Sequence, residues 1–193
     1  MINKKQQSGF ALLMSIIVVG VVVSVGLSLS ELATKQLNLS TNSKESETAF
    51  HAANAGVECA QYWRFNKAET LEAGDDFNFR CFNEGENVAA SDPTSLGLSV
   101  NRADAYLYRK NFTWNSGSGD RCSDVSMLII NSSSNIDKAE ISGMKNVFSG
   151  YPDDTFECEI GGRCAIISAQ GYSASCASVG NIGVVQREVL LES

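Results

Sequence analysis

The chain has 193 residues, with 15 Lys plus Arg set against 22 Asp plus Glu, for a formal net charge of −7. This acidity argues against a general grip on nucleic acid. The single histidine, His51, falls on the polar face of a helical pattern, which argues against a triad built on imidazole, and no cofactor-binding motif stands out.

Residues 1–9 (MINKKQQSG) are polar, and their only charges are Lys4 and Lys5. Residues 10–29 (FALLMSIIVVGVVVSVGLSL) then carry no charge, and Glu31 follows closely. At about 1.5 Å per residue, such a run covers about 30 Å as a helix, the thickness of a bilayer's hydrocarbon core. The two lysines ahead of it predict a single pass through the cytoplasmic membrane, with the N-terminus inside and the remainder of the chain outside. An ordinary secretory signal has a shorter apolar region and a small-x-small site after it. A plain single-pass anchor is the other reading of the same residues.

After residue 29 the helical pattern continues, because residues 30–65 contain no proline and Gly56 is their only glycine. Ala49, Ala52, Gly56, Cys59 and Trp63, with Phe50, Ala53, Val57 and Ala60, form a broad apolar stripe at helical spacing. Most of them are small, which lets a sheet or another helix come close. Glu47, His51, Asn54, Glu58 and Gln61 fall on the opposite face, so His51 reads as a solvated residue. Residues 38–44 (NLSTNSK) are rich in side chains that bond their own backbone, which predicts a soft point or bend.

Beyond residue 67 short runs alternate with turn residues. Residues 77–82 (FNFRCF) alternate as a half-buried strand does, residues 84–98 are polar with a turn at Asp92-Pro93, and residues 105–114 and 125–131 (VSMLIIN) read as strands. A glycine and serine loop spans residues 115–120. Residues 132–155 suggest a helical turn and then a turn at residues 151–154. Residues 164–172 (CAIISAQGY) and 183–192 (GVVQREVLLE) read as two final strands, with the direction of Arg187 left open by its neighbours. The expected class is α+β: a long N-terminal helix whose outer half, residues 30–65, precedes a β-rich domain over residues 66–193.

All six cysteines lie past the apolar run, and an even number outside the membrane suggests disulfides. Six cysteines permit fifteen pairings. Cys59 with Cys81 would tie the helix to the start of the sheet, Cys158 with Cys164 would close a small loop, and Cys122 with Cys176 would then remain. No C-x-x-C pair or Cys/His cluster suggests a metal. Asp153, Asp154, Glu157 and Glu159 are acidic neighbours, but their spacing matches no calcium loop and reads as a solvated turn.

The border between leader and apolar run, Ser8-Gly9-Phe10, resembles the processing site of type IV pilins and type II secretion pseudopilins. Residues 49–63 (AFHAANAGVECAQYW) are similar to the alanine-rich stretch late in the long helix of PilX-type minor pilins, and the two features together cover about the first third of the chain. The resemblance implies that a prepilin peptidase cuts between Gly9 and Phe10 and methylates the amine of Phe10. It implies that the retained helix packs against other pilin subunits in a filament. The β-rich domain would then stand at the cell surface, where a surface, another cell or DNA is a possible ligand, although no specific nucleic-acid site is evident. Most pilins carry a glutamate five residues into the mature chain, where it neutralises a neighbouring subunit's N-terminal amine. Met14 occupies that position here, which points to a tip or priming subunit rather than a shaft subunit. A secretion pseudopilin and a membrane-tethered binding module that does not polymerise are the alternatives.

Overall fold

A computed structural model of the chain describes residues 7–82, 84–115, 119–132 and 137–193, with side chains from Phe10 onward. Residues 1–6, which make up most of the expected leader, lie outside the described residues, as do residues 116–118 of the glycine and serine loop and residues 133–136. The elements in order are α1 (Gln7–Asn66), α2 (Ala68–Ala73), β1 (Phe77–Cys81), β2 (Glu84–Val88), β3 (Ser99–Asn101), β4 (Ala103–Asn115), β5 (Asp120–Ser132), β6 (Ala139–Ser142), α3 (Met144–Val147), β7 (Thr155–Cys158), β8 (Arg163–Tyr172) and β9 (Gln186–Glu192). The helix runs through residues 38–44 without a break, and the Thr41 hydroxyl donates to the Leu37 carbonyl within it at 2.6 Å.

The chain divides into two compact units, one ending at Lys44 and the other spanning Glu45–Ser193. In the first, every residue from 10 to 44 is exposed. The second has three layers. Its centre is an antiparallel sheet in the order β4-β5-β8-β9, and a smaller antiparallel sheet, β3-β6-β7, lies beyond one face. The other face packs against the last turns of α1, with the β1-β2 hairpin and α2 beside it.

Side chains of the central strands alternate between two cores. Tyr108, Phe112, Val125, Met127, Ile129 and Ile167 join Val57, Ala60 and Leu71 on the helical side. Leu107, Leu128, Ile130 and Ile166 join Ile141, Met144 and Phe148 on the other. Residues 125–131 therefore read as a nearly unbroken apolar run because both faces of β5 are covered there. The strands expected at 77–82, 105–114, 125–131, 164–172 and 183–192 correspond to β1, β4, β5, β8 and β9. β2 falls in the stretch expected to be polar loop, and β6 and β7 fall in the stretch left without a strand. Each has five residues or fewer, too short for a period to show in composition.

Candidate functional site

The apolar run of α1 is the most unusual surface on the chain. Of the helices described, it is the one long and apolar enough to cross a membrane. A helix on an ordinary protein surface has one apolar stripe, whereas residues 10–29 are apolar on all sides, the pattern of a helix that needs cover on every side. Its polar side chains are satisfied locally. Ser15 donates to the Leu12 carbonyl at 2.8 Å, Ser24 to Val21 at 2.8 Å and Ser28 to Ser24 at 3.0 Å. Such back-bonds lower the cost of placing hydroxyls in lipid, where water offers no replacement. Gly20 and Gly26 have open space where a side chain would stand. Of the residues expected at the processing site, Gly9 and Phe10 both lie within α1, and Phe10 and Met14 are exposed.

In the second unit, α1 meets the sheet through a seam of small residues. Ala49, Ala52 and Ala53 are wholly buried. A Cβ on Gly56 would stand 3.0 Å from the Ala169 Cβ and 3.1 Å from the Val125 Cγ2, so the glycine permits the close approach. The Ser123 hydroxyl donates to the Ala52 carbonyl at 2.7 Å, and the Trp63 indole N–H donates to the Arg80 carbonyl at 2.8 Å. Phe50, placed by its spacing in the apolar stripe, is exposed instead. His51 is exposed beside Glu47, with Nε2 at 3.8 Å from Oε1.

Arg187 points toward the helix, on the face shared by Val189 and Leu191, and its Nε donates to the Ser46 hydroxyl at 2.7 Å. Glu72 on α2 binds two guanidiniums, Arg64 of α1 and Arg163 of β8, each at 3.0 Å. The Arg187–Ser46 and Glu72–Arg163 links join α1 or α2 to distant strands, and nothing in the local sequence announces them.

Of the fifteen possible pairings, the structure holds Cys59–Cys81, Cys122–Cys176 and Cys158–Cys164. The first joins α1 to β1, and the second ties the loop before β9 to β5. The third joins β7 of the small sheet to β8 of the central one. Glu157 and Glu159 both face Lys138, at 3.5 Å and 2.8 Å, and the hydrogen bond to Glu159, then its charge, with Glu157 adding to them, raise the lysine's pKa. The Asp154 carboxylate accepts from the Lys145 amide at 3.3 Å. Asp154, Glu157 and Glu159, three of the four acidic residues considered for calcium, thus face protein donors, and no group of three metal-binding side chains gathers among the described residues.

Compared with family models, with curated proteins and with solved structures, the chain matches none. The residues themselves define an α+β protein with an apolar N-terminal helix able to cross a membrane, antiparallel sheets and three disulfides.

Proposed function

We propose that this protein is a minor subunit of a type IV pilus, at the tip or in the priming complex. The observation that carries the reading is the all-round apolar, fully exposed run at residues 10–29 within a single helix that continues to Asn66. An anchor alone requires only the spanning length. Here the helix goes on past that length and contributes its later residues to the outer fold. In lipid the run is solvated by acyl chains, and in a filament by the equivalent helices of neighbouring subunits, so the same surface serves both environments.

Lys4 and Lys5 keep the leader in the cytoplasm, where a prepilin peptidase cuts between Gly9 and Phe10 and methylates the new amine. Met14 leaves the subunit without a carboxylate for the amine of its neighbour, which disfavours a repeating place in the shaft. Disulfides fit the oxidising side of the membrane.

Mass spectrometry of the protein isolated from its native membrane tests the reading. A mature chain beginning with methylated Phe10, recovered in sheared surface filaments at low stoichiometry, is expected. An intact Met1 would make it a plain anchor, and a methylated chain absent from every filament fraction would remove the pilus assignment.

A further inference from the structure

The face of the central sheet that carries the small sheet is covered over only part of its length. Along β5, Leu128 and Ile130 lie beneath the small sheet, but Ser126 and Asp124 on the same face precede them. β4 changes in the same way from Leu107 to Arg109 and Asn111, and β8 from Ile166 to Ser168 and Gln170. The register aligns these changes. Arg109, Ser126 and Ser168 stand in one cross-strand row, and Asn111, Asp124 and Gln170 stand in the next.

Two adjoining hollows lie over these rows, with volumes of about 410 Å³ and 200 Å³, and both are lined by Arg109 and Asp124. Residues 86–89 in and after β2 line the larger, and Val147 of α3 lines the smaller. At a strand spacing of about 4.8 Å, the floor from β4 to β8 is about 10 Å across. A solvated sheet face needs polar residues but no walls.

The charged side chains lining the two hollows are matched in sign, and Glu188, beside Gln170 on β9, adds one carboxylate at the edge. Lys110 is paired with Glu86, and Arg109 opposes Asp124 without closing an ion pair on it among the described residues. The Tyr172 hydroxyl donates to the Gln170 carbonyl oxygen at 2.8 Å, leaving the amide N–H₂ to face a ligand. Burial raises the Asp124 pKa, with Arg109 opposing the shift, so this carboxylate gains from a donor placed beside it. The floor thus offers guanidinium and amide donors, a carboxylate acceptor, the Ser126 hydroxyl and the lone pairs of Ser168, whose proton goes to Glu188 at 2.7 Å, and neither hollow has an aromatic or large apolar pocket for a peptide side chain.

We propose that this groove is a binding site for a neutral, hydroxyl-rich glycan of two or three sugar units. Each sugar hydroxyl both donates and accepts, which is the pattern the two rows complement, and adjacent hydroxyls bridge the Arg109 and Asp124 pair. The site belongs wholly to the second unit and does not depend on filament assembly.

The test uses the full chain in a polyoxyethylene ether detergent, which carries no sugar headgroup. Maltotriose and chitotriose are titrated separately by saturation-transfer NMR and calorimetry. Saturable binding of one of them in the millimolar range is expected, weakened at least tenfold by Asp124→Asn and by Arg109→Gln and unchanged by Ile182→Ser, an exposed side chain that lines neither hollow. Thermal unfolding of each variant is recorded alongside. Absence of saturable binding by both trisaccharides overturns the proposal. So does binding that survives both substitutions in folded protein, or displacement of the sugar by glycylglycine, which would make the Arg109 and Asp124 pair a site for zwitterions.

Discussion

Gly171 on β8 lies so close to Ala53 on α1 that a Cβ at Gly171 would collide with the Ala53 amide nitrogen and the Ala49 carbonyl oxygen. Both obstacles are backbone atoms of a helix, which cannot rotate away. Gly171→Ala is expected to destabilise the second unit by about 3 kcal/mol or more. At Gly56 the neighbours are side chains at 3.0–3.3 Å, which yield by small shifts, so Gly56→Ala should cost about 1–2 kcal/mol. Urea unfolding of the two variants gives the comparison, and equal costs would mean that the seam relaxes as a whole.

The disulfides should differ in weight because they close loops of different length. Their partners are 54, 22 and 6 residues apart for Cys122–Cys176, Cys59–Cys81 and Cys158–Cys164. Loop-closure entropy gives about 4, 3 and 2 kcal/mol in that order. Paired Cys→Ser variants, compared by denaturant midpoint, are expected to follow the same ranking.

Glu72 is a second point of attachment. Its side chain is 8% exposed and that of Arg64 13%, whereas Arg163 is 63% exposed. Glu72→Gln leaves the largely covered Arg64 guanidinium without its counter-charge and should cost about 3 kcal/mol. Arg163→Gln removes a partner that water can replace and should cost under about 1 kcal/mol. Thermal denaturation of the two variants distinguishes them.

Tyr108 predicts a response to alkali. Its hydroxyl lies 3.2 Å from both the Leu71 and Asp75 carbonyls, and burial, with Asp75 adding to it, pushes the phenol from 10.0 to about 12. The folded chain thus keeps a proton that the unfolded chain releases above pH 10. The stabilisation is complete below pH 10 and is lost as pH rises through about 12. Denaturant midpoints between pH 9 and 12 should fall more steeply for the wild type than for Tyr108→Phe, although the variant starts lower because it lacks the hydrogen bond.

Met14 tests the assembly reading directly. With a carboxylate at this position, a neighbour's amine would have a partner in the water-poor core of a filament. Met14→Glu is expected to increase the amount of this protein recovered along sheared filaments several-fold. Unchanged recovery would remove the argument for a tip or priming position.

Much of the outer fold was legible where a period could be counted. FNFRC alternates and is β1, and the small residues at helical spacing from Ala49 to Ala60 are the buried face of α1. The same spacing misplaced Phe50, because a stripe has a width that composition does not define, and this ring falls at its exposed margin. β2 (EGENV) has one buried side chain and owes its strand to pairing with β1, an interaction invisible in its own residues. The groove was illegible for a related reason: Arg109, Ser126, Asp124 and Gln170 are ordinary polar residues until the register brings them together.

By itself, the sequence determined that residues 10–29 need an apolar surrounding on every side and that the cysteine-bearing remainder folds around a helix of small residues and a set of strands. These are local properties, set by side-chain hydrophobicity, periodicity and the positions of glycine and proline. The tertiary structure decided which cysteines meet, which way Arg187 faces, where Glu72 finds its two partners and which part of the central sheet stays uncovered. Each of those depends on residues many positions apart arriving at one place, and only the packed register of strands and helix sets that distance.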